Sequence, residues 1–73
     1  MAEFSYEIKS NLGVLSEKKG YTKEVNLISY NGKEPVYDIR TWYTQPSGEK
    51  KMTKGITLNK DEIEALKMIL LEV

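Results

Sequence analysis

Two side chains near the middle of the chain, Arg40 and Trp42, could together bind a ligand that is both charged and flat. They stand two residues apart in Pro35–Tyr43, a segment that alternates polar and apolar residues as a half-buried strand does. Alternation predicts that Asp38 shares their face, and the opposite face then carries Tyr37, Ile39 and Thr41. A guanidinium beside an indole ring suits single-stranded nucleic acid, since bases stack on rings and cations contact phosphates.

Catalysis is not expected. The 73 residues include no histidine and no cysteine, so the usual general base, the thiol nucleophile, disulfides and thiolate metal sites are all missing. Asp38 is the one carboxylate embedded in a predicted strand core, and beside Arg40 it is expected to form a structural ion pair. No glycine-rich phosphate loop is present. The sequence predicts a protein that is not an enzyme and has no cofactor, no metal and no small-molecule substrate.

Cations and aromatic rings surround Arg40 and Trp42 in the sequence. The cations are Lys23, Lys33, Lys51 and Lys54, and the rings are Tyr21, Tyr30 and Tyr43. The alternative interpretation is ordinary sheet structure, because strands favour aromatics and exposed lysines protect sheet edges. Eleven basic and eleven acidic residues give no net charge, which counts against nucleic-acid binding. From pattern alone such binding is a minority hypothesis, and a bulge could turn Tyr30, Tyr43 or Lys54 inward.

The elements that must position these residues are four strands followed by a helix. Phe4–Ser16 is predicted to form one long bent strand or two short ones, with the bend near Asn11–Gly13. Asn31-Gly32 is a strong hairpin signal. Gly55 is expected to mark a bulge in the fourth strand. The remaining strands are predicted over Tyr21–Tyr30, Pro35–Tyr43 and Lys50–Leu58.

The helix is predicted to run from about Lys60 to the end of the chain. Asn59 and Glu62 have the spacing of a capping box. Its apolar stripe is Ile63, Leu66, Leu70 and Val73, which Ala65, Met68, Ile69 and Leu71 widen. One helix covers one face of a sheet, so the face with Arg40 and Trp42 is expected to stay in water. The fold class is α+β, a β-β-β-β-α arrangement in one domain over residues 1–73.

A chain of this length has a marginal core, and without disulfides or metal the expected supplement is oligomerisation. The wide apolar stripe of the helix is the predicted surface for it. The amino-terminal segment has no apolar run of the length of a signal peptide or a membrane span, which favours the cytoplasm.

The run from Tyr30 to Leu66 carries a resemblance to a known family. Its most specific parts are Asp-Ile-Arg-Thr-Trp at Asp38–Trp42 and Lys-Gly-Ile-Thr-Leu at Lys54–Leu58. These motifs resemble the Positive Cofactor Four family of transcriptional coactivators. With the segment Lys23–Asn26, the chain is most similar to the short bacterial YdbC-like branch of that family.

The resemblance implies single-stranded DNA binding without sequence preference, by a homodimer whose helices pair and whose curved sheets hold the strands. It implies a role in transcription regulation, replication or repair. Trp42 or Tyr43 matches the family's stacking tryptophan, and we favour Trp42 because it shares the face of Arg40. The DNA-binding residues expected from pattern and resemblance together are Lys23, Asn26, Tyr30, Lys33, Arg40, Trp42, Tyr43, Lys51 and Lys54. The expected dimer residues are Ile63, Leu66, Met68, Ile69, Leu70 and Val73. Two alternatives stay open for the same surface: a protein–protein interaction module and single-stranded RNA binding.

Overall fold

The computed structural model describes residues 5–73 and contains four strands and one helix in that range. The strands pair antiparallel with each neighbour in the order β1-β2-β3-β4. The elements are β1 (Tyr6–Lys18), β2 (Tyr21–Tyr30), β3 (Val36–Thr44), β4 (Lys50–Leu58) and α1 (Lys60–Leu71). The predicted α+β fold class is therefore confirmed. The bounds of β2 and β4 agree with the prediction, and β3 is shifted by one residue. The predicted end of β1 at Ser16 is wrong, because pairing of Glu17 with Thr22 and of Lys18 with Tyr21 extends the strand to Lys18. The predicted start of β1 at Phe4 lies outside the described residues.

Strand β1 is irregular along its length. Its pairing with β2 shifts register between Ile8 and Ser10, between Asn11 and Gly13, and between Val14 and Ser16. The predicted bend at Asn11–Gly13 is confirmed, and two further shifts accompany it. Each extra residue in one strand of a pair bends that strand and increases its twist.

The sheet curls strongly toward one of its faces. Tyr6 pairs with Tyr30, while Trp42 pairs with Thr22, eight residues away along β2. In a flat sheet those positions would be about 26 Å apart. The ring centroids of Tyr6 and Trp42 are nevertheless only 5.8 Å apart. The curl therefore brings the two ends of the sheet together on this face.

Cross-strand pairing divides the side chains of β2 and β3 between two faces. We call one the closed face; it carries Thr22, Glu24, Asn26 and Ile28 with their partners Trp42, Arg40, Asp38 and Val36. We call the other the helix face; it carries Tyr21, Lys23, Val25 and Leu27 with their partners Tyr43, Thr41, Ile39 and Tyr37. The prediction that Asp38, Arg40 and Trp42 share one face is confirmed.

The best-buried side chains lie on the closed face. Trp42 is 1% exposed, and Ile28, Asn26 and Asp38 are fully buried. The prediction that the face of Arg40 and Trp42 stays in water is therefore wrong. The physical reason is the curl of the sheet, which folds this face over itself and excludes solvent from its centre.

Helix α1 lies on the helix face and covers it thinly. The predicted capping box is present, because the Asn59 side chain accepts from the Glu62 backbone N–H while the Glu62 side chain accepts from that of Asn59. Ile63 and Leu66 are half-buried in a groove that Val25 and Ile39 also line. No residue of α1 is buried. The helix thus leaves most of its apolar surface exposed.

Candidate nucleic-acid interface

Arg40 is held on the closed face by its neighbours. Its Nη2 lies 2.9 Å from Asp38 Oδ2 in an ion pair, and its Nε donates to Asp38 Oδ1 at 3.0 Å. Nη1 donates to the Thr53 carbonyl at 2.8 Å. The hydroxyl of Tyr30 also donates to Asp38 Oδ2, at 2.9 Å. The predicted structural ion pair of Asp38 and Arg40 is confirmed, and the guanidinium is largely committed to protein partners.

The ionisation states of this cluster follow from its contacts. The hydrogen bond to the Asp38 carboxylate raises the pKa of Arg40 further above its ordinary value. Burial, followed by the hydrogen bond to Asp38, raises the pKa of the Tyr30 hydroxyl. Arg40 is therefore charged and Tyr30 neutral at physiological pH, and Tyr30 keeps the proton that it donates.

The absence of a side chain at Gly55 leaves room for the Arg40 side chain to pass over β4. The two residues are cross-strand partners, and a Cβ at position 55 would stand 2.6 Å from the Cβ of Arg40. The register of β3 and β4 shifts just beyond this pair, between Arg40 and Trp42. The bulge predicted at Gly55 is thus found beside it, at Thr53 and Lys54.

A second polar cluster surrounds Glu24, which is 4% exposed. Its carboxylate accepts hydrogen bonds from Lys50 Nζ at 2.6 Å, from the Thr22 hydroxyl at 2.7 Å and from Asn11 Nδ2 at 3.2 Å. Burial raises the pKa of Glu24, but the hydrogen bonds from Lys50, Thr22 and Asn26 and the positive charge of Lys50 together lower it by more, so the net pKa is lowered. Asn26, a predicted DNA-binding residue, is buried in this cluster and accepts from Asn11 Nδ2 at 2.6 Å.

Trp42 does not present its ring to solvent. Tyr6 lies over the indole at an interplanar angle of 51°, and the Tyr6 and Tyr30 rings are 6.5 Å apart. The expectation that Trp42 offers an open stacking surface is therefore wrong in this structure, because Tyr6 occupies that surface. Alternation alone gave the correct face and could not show the curl that closes it.

The helix face carries a basic cleft away from α1. Ile39 and Ile56 form its apolar floor, and its other lining residues are Lys23, Arg40, Thr41, Lys54 and Gly55. Lys23 pairs with Thr41, one residue out of phase with the Glu24–Arg40 pair. The expectation that Lys23 and Lys54 surround Arg40 is confirmed in part, since all three residues line this cleft. They do not share one strand face, because alternation puts Lys23 on the helix face and the bulge brings Lys54 beside it, and Trp42 does not line the cleft.

Next to this cleft stands an aromatic pair. Tyr21 and Tyr43 are cross-strand partners whose ring centroids are 4.9 Å apart. Tyr43 also pairs with Lys51, and Tyr21 with Lys18. The structure thus brings Lys23, Tyr43, Lys51 and Lys54 together on the helix face. It adds Tyr21, which the sequence named as a nearby ring but which was not among the predicted DNA-binding residues.

The other predicted binding residues lie elsewhere. Asn26, Tyr30, Arg40 and Trp42 belong to the closed face. Lys33 is exposed in the turn after β2, where its N–H donates to the Tyr30 carbonyl. Asn31 and Gly32 have φ values of 50° and 75°, as the Asn-Gly hairpin signal predicted.

Most of the predicted dimer residues are open to solvent. Met68 and Ile69 are each 62% exposed, Leu70 is 60% exposed and Val73 is 96% exposed. Ile63 and Leu66 instead point into the groove between α1 and the sheet, which Leu15 and Tyr37 also line. Among residues 5–73 no helix is long and apolar enough to span a membrane. In the same range no group of three or more side chains has the arrangement of a metal site.

Comparison with known proteins places the chain in a family. Residues 17–69 match the family described as Transcriptional Coactivator p15 (PC4). A protein of Treponema pallidum (strain Nichols), described as an uncharacterized protein, is 44% identical over 69 residues, which cover 93% of this chain and 78% of that relative. The match spans β2, β3, β4 and most of α1, and so includes the basic cleft and the aromatic pair. The chain belongs to the PC4 family of transcriptional coactivators.

Proposed function

We propose that this protein binds single-stranded DNA without sequence preference, as a homodimer, in support of transcription, replication or repair. The observation that carries the proposal is the basic cleft on the helix face, where Lys23 and Lys54 flank an apolar floor beside Tyr43 and Lys51. Membership of a coactivator family supports it. As expected from the sequence, we also propose a cytoplasmic location and a binding rather than a catalytic role.

The charges of the cleft suit a phosphate backbone. The strand positions at this end of the helix face carry Lys18, Lys23 and Lys51, and the bulge adds Lys54. No carboxylate occupies a strand position among them, since Glu24 lies on the closed face. The zero net charge of the chain therefore hides a local excess of positive charge, and such local fields attract polyanions.

An apolar floor between cations favours a single strand over a duplex. The base faces of a duplex are stacked on one another, so only its backbone and base edges are offered to a protein. A single strand can instead place a base on Ile39 and Ile56 or on the neighbouring aromatic pair while lysines contact its phosphates. Ring stacking does not separate DNA from RNA, so the choice of DNA rests on the family.

The homodimer follows from what the monomer leaves uncovered. Trp42 and Ile28 are the buried hydrophobic residues of the described chain, which is a small core for 73 residues. Domains of this size usually need a partner or a covalent constraint, and there is no cysteine. We propose that a second copy covers Met68, Ile69, Leu70 and Val73, and reaches the groove lined by Ile63 and Leu66.

Binding is tested by titrating the protein with fluorescein-labelled oligo-dT and following anisotropy. We expect saturable binding that weakens steeply between about 50 and 200 mM salt. Intrinsic Trp42 fluorescence is a poor reporter, because the indole is already buried against Tyr6. Absence of binding at low salt would overturn the proposal, and binding that does not change with salt would favour the protein–protein alternative.

The same titration is repeated with single-stranded RNA and with duplex DNA of the same length, and their affinities are compared with that of oligo-dT. We expect the duplex to bind more weakly than the single strand, because it cannot offer base faces to the cleft. Tighter binding of the RNA oligomer than of the DNA oligomer would show that single-stranded RNA is the preferred ligand.

The dimer is tested separately by sedimentation equilibrium at micromolar concentration. We expect two copies per particle for the wild type. Leu70→Glu is expected to give monomers, because it buries a charge in the proposed contact. Ser47→Glu, in the exposed turn between β3 and β4, is the matched control and should remain dimeric. A monomeric wild type would contradict the proposed homodimer. It would not bear on DNA binding, which the oligo-dT titration tests separately.

A further inference from the structure

We propose that Tyr21 is a base-stacking residue of this protein and that Tyr43 is the positioning residue behind it. The inference rests on the proposed binding of single-stranded nucleic acid and adds a contact that the family motifs do not contain. It concerns the end of the helix face where β1 turns into β2, which α1 does not cover.

The two rings differ in what they offer to a ligand. Tyr21 is 48% exposed, whereas Tyr43 is half-buried. Their centroids are 4.9 Å apart and their planes are tilted by 42°, so one face of each ring is turned toward the other. Of this pair, the ring with more surface left for an arriving base is that of Tyr21.

The turn between β1 and β2 also lies close to the Tyr43 ring. A Cβ on Gly20 would lie 3.7 Å from Tyr43 Cε1, so the glycine backbone is close to the ring. The Gly20 carbonyl accepts a hydrogen bond from the Thr44 N–H at 2.8 Å, which ties this turn to β3. Gly20 has φ of +84°, a conformation that favours glycine. Tyr43 thus contacts both the turn and the Tyr21 ring, and these contacts let it position the Tyr21 ring.

Positive charge flanks the Tyr21 ring on two sides. Lys18 is its cross-strand partner on β1, and Lys51 is the partner of Tyr43 on β4. Lys23 follows two residues later on the same face of β2. A base stacked on Tyr21 therefore has a cation on the β1 side and another on the β4 side. This charge complementarity, with an exposed ring at its centre, identifies the occupant as a single-stranded nucleic acid.

The first experiment compares oligo-dT affinity of the wild type, Tyr21→Ala and Tyr21→Phe. Tyr21→Ala is expected to weaken binding by about fivefold or more, which is the low end of the effect of removing a stacking ring. Tyr21→Phe is expected to bind like the wild type, because stacking needs the ring and not the hydroxyl. The blue-shifted emission of buried Trp42 verifies that each variant is folded.

The second experiment places a reporter at the proposed contact. Tyr21→Trp introduces an indole whose fluorescence is expected to be quenched as oligo-dT saturates the protein. Thr57→Trp places an indole on the exposed β4 position of the opposite face and is expected to keep its emission. If Tyr21→Ala fails to fold, the comparison of Tyr21→Trp with Thr57→Trp still tests whether a base contacts position 21.

The outcomes separate the inference from the proposed function. If the wild type binds oligo-dT, while Tyr21→Ala binds equally well or Tyr21→Trp is not quenched, the stacking role of Tyr21 is wrong and single-strand binding stands. If the wild type itself does not bind, both are wrong. If Tyr43→Phe also binds like the wild type while Tyr43→Ala loses both affinity and the quenching of Tyr21→Trp, the positioning role of Tyr43 is supported.

Discussion

The two faces of this sheet carry similar kinds of residues and use them in opposite ways. On the closed face, Arg40 is bonded to Asp38 and Trp42 lies under Tyr6. On the helix face, Lys23 and Tyr21 are exposed. Cations and aromatic rings therefore stabilise the fold on one side and remain available for a ligand on the other.

The difference teaches that residue type does not by itself identify a binding surface. What separates the faces is the presence of partners. The closed face pairs its charges internally, with Asp38 beside Arg40 and Glu24 beside Lys50. The lysine-bearing end of the helix face has no carboxylate at its strand positions. A cation whose charge is already neutralised within the fold has less attraction left for a phosphate.

The largest effect that would test this contrast is expected for Trp42→Ala. Removing a buried tryptophan costs about 3–5 kcal/mol in free energy of unfolding. That is a large part of the roughly 5–15 kcal/mol available to a small domain. Urea denaturation followed by circular dichroism would measure it. The contrast between the faces would be wrong if Trp42→Ala kept its stability and lost only oligo-dT affinity.

Trp42→Phe is the informative companion variant. The indole N–H of Trp42 is buried and has no hydrogen-bond partner among residues 5–73. Phenylalanine keeps a ring under Tyr6 and removes this unsatisfied donor, so we expect a clearly smaller loss of stability than for alanine.

The next largest effect is expected for Asp38→Asn. The substitution keeps the shape of the side chain but leaves the half-buried Arg40 guanidinium without its ionic partner. Hydrogen bonds to charged groups contribute about 1.5–3 kcal/mol, and we expect a loss of that order. Urea denaturation measures it, with Asp61→Asn as the exposed control. A loss no greater than that of the control would show that the ion pair does not hold the closed face together.

The carboxylate of Glu24 predicts how stability depends on pH. Burial opposes its ionisation, but the bonds from Lys50 and Thr22 lower its folded pKa below the unfolded value. Its ionisation therefore contributes stability that is present above the unfolded pKa and is lost as pH falls through the folded pKa. Comparing the acid side of the stability curve for wild type and Glu24→Gln measures this contribution. We expect a shallower dependence in Glu24→Gln and an unchanged one in the exposed control Glu49→Gln.

The smallest effect on stability, and a specific effect on binding, is expected for the double variant Lys23→Ala with Lys54→Ala. Surface substitutions usually change stability by less than about 0.5 kcal/mol. For single strands each phosphate contact contributes about 0.7 to the slope of log affinity against log salt. Two contacts would therefore lower the magnitude of that slope by about 1.4. Lys9→Ala with Lys60→Ala removes the same charge elsewhere and should leave the slope nearly unchanged; equal losses in the two variants would show that only net charge matters.

Much of the fold could be predicted because its signals are local. The aromatic and β-branched residues of Tyr21–Tyr30 predicted β2, the capping box at Asn59 predicted the start of α1, and Asn31-Gly32 predicted the turn after β2. Alternation also gave the shared face of Asp38, Arg40 and Trp42.

The candidate site was predicted less well because it depends on how strands pair. The face of Lys23 follows from its pairing with Thr41, and that of Lys54 depends on the bulge beside Gly55. The burial of Trp42 depends on the curl produced along β1, far away in sequence. The role of Glu24 could have been suspected, since it occupies an alternating position between Thr22 and Asn26, but its partner Lys50 is 26 residues away.

The bulges also bear on how copies of this chain can meet. Strands β1 and β4 are the two edges of the sheet, and both are interrupted, β1 by three register shifts and β4 by one. An interrupted edge offers no continuous row of N–H and C=O groups for another strand to extend. Lys51 and Lys54 add charge along β4, which further disfavours edge-to-edge growth. Extension of the sheet by strands of other copies, the route to fibrils, is therefore disfavoured at both sheet edges. This matters in a small domain whose helix leaves apolar side chains exposed.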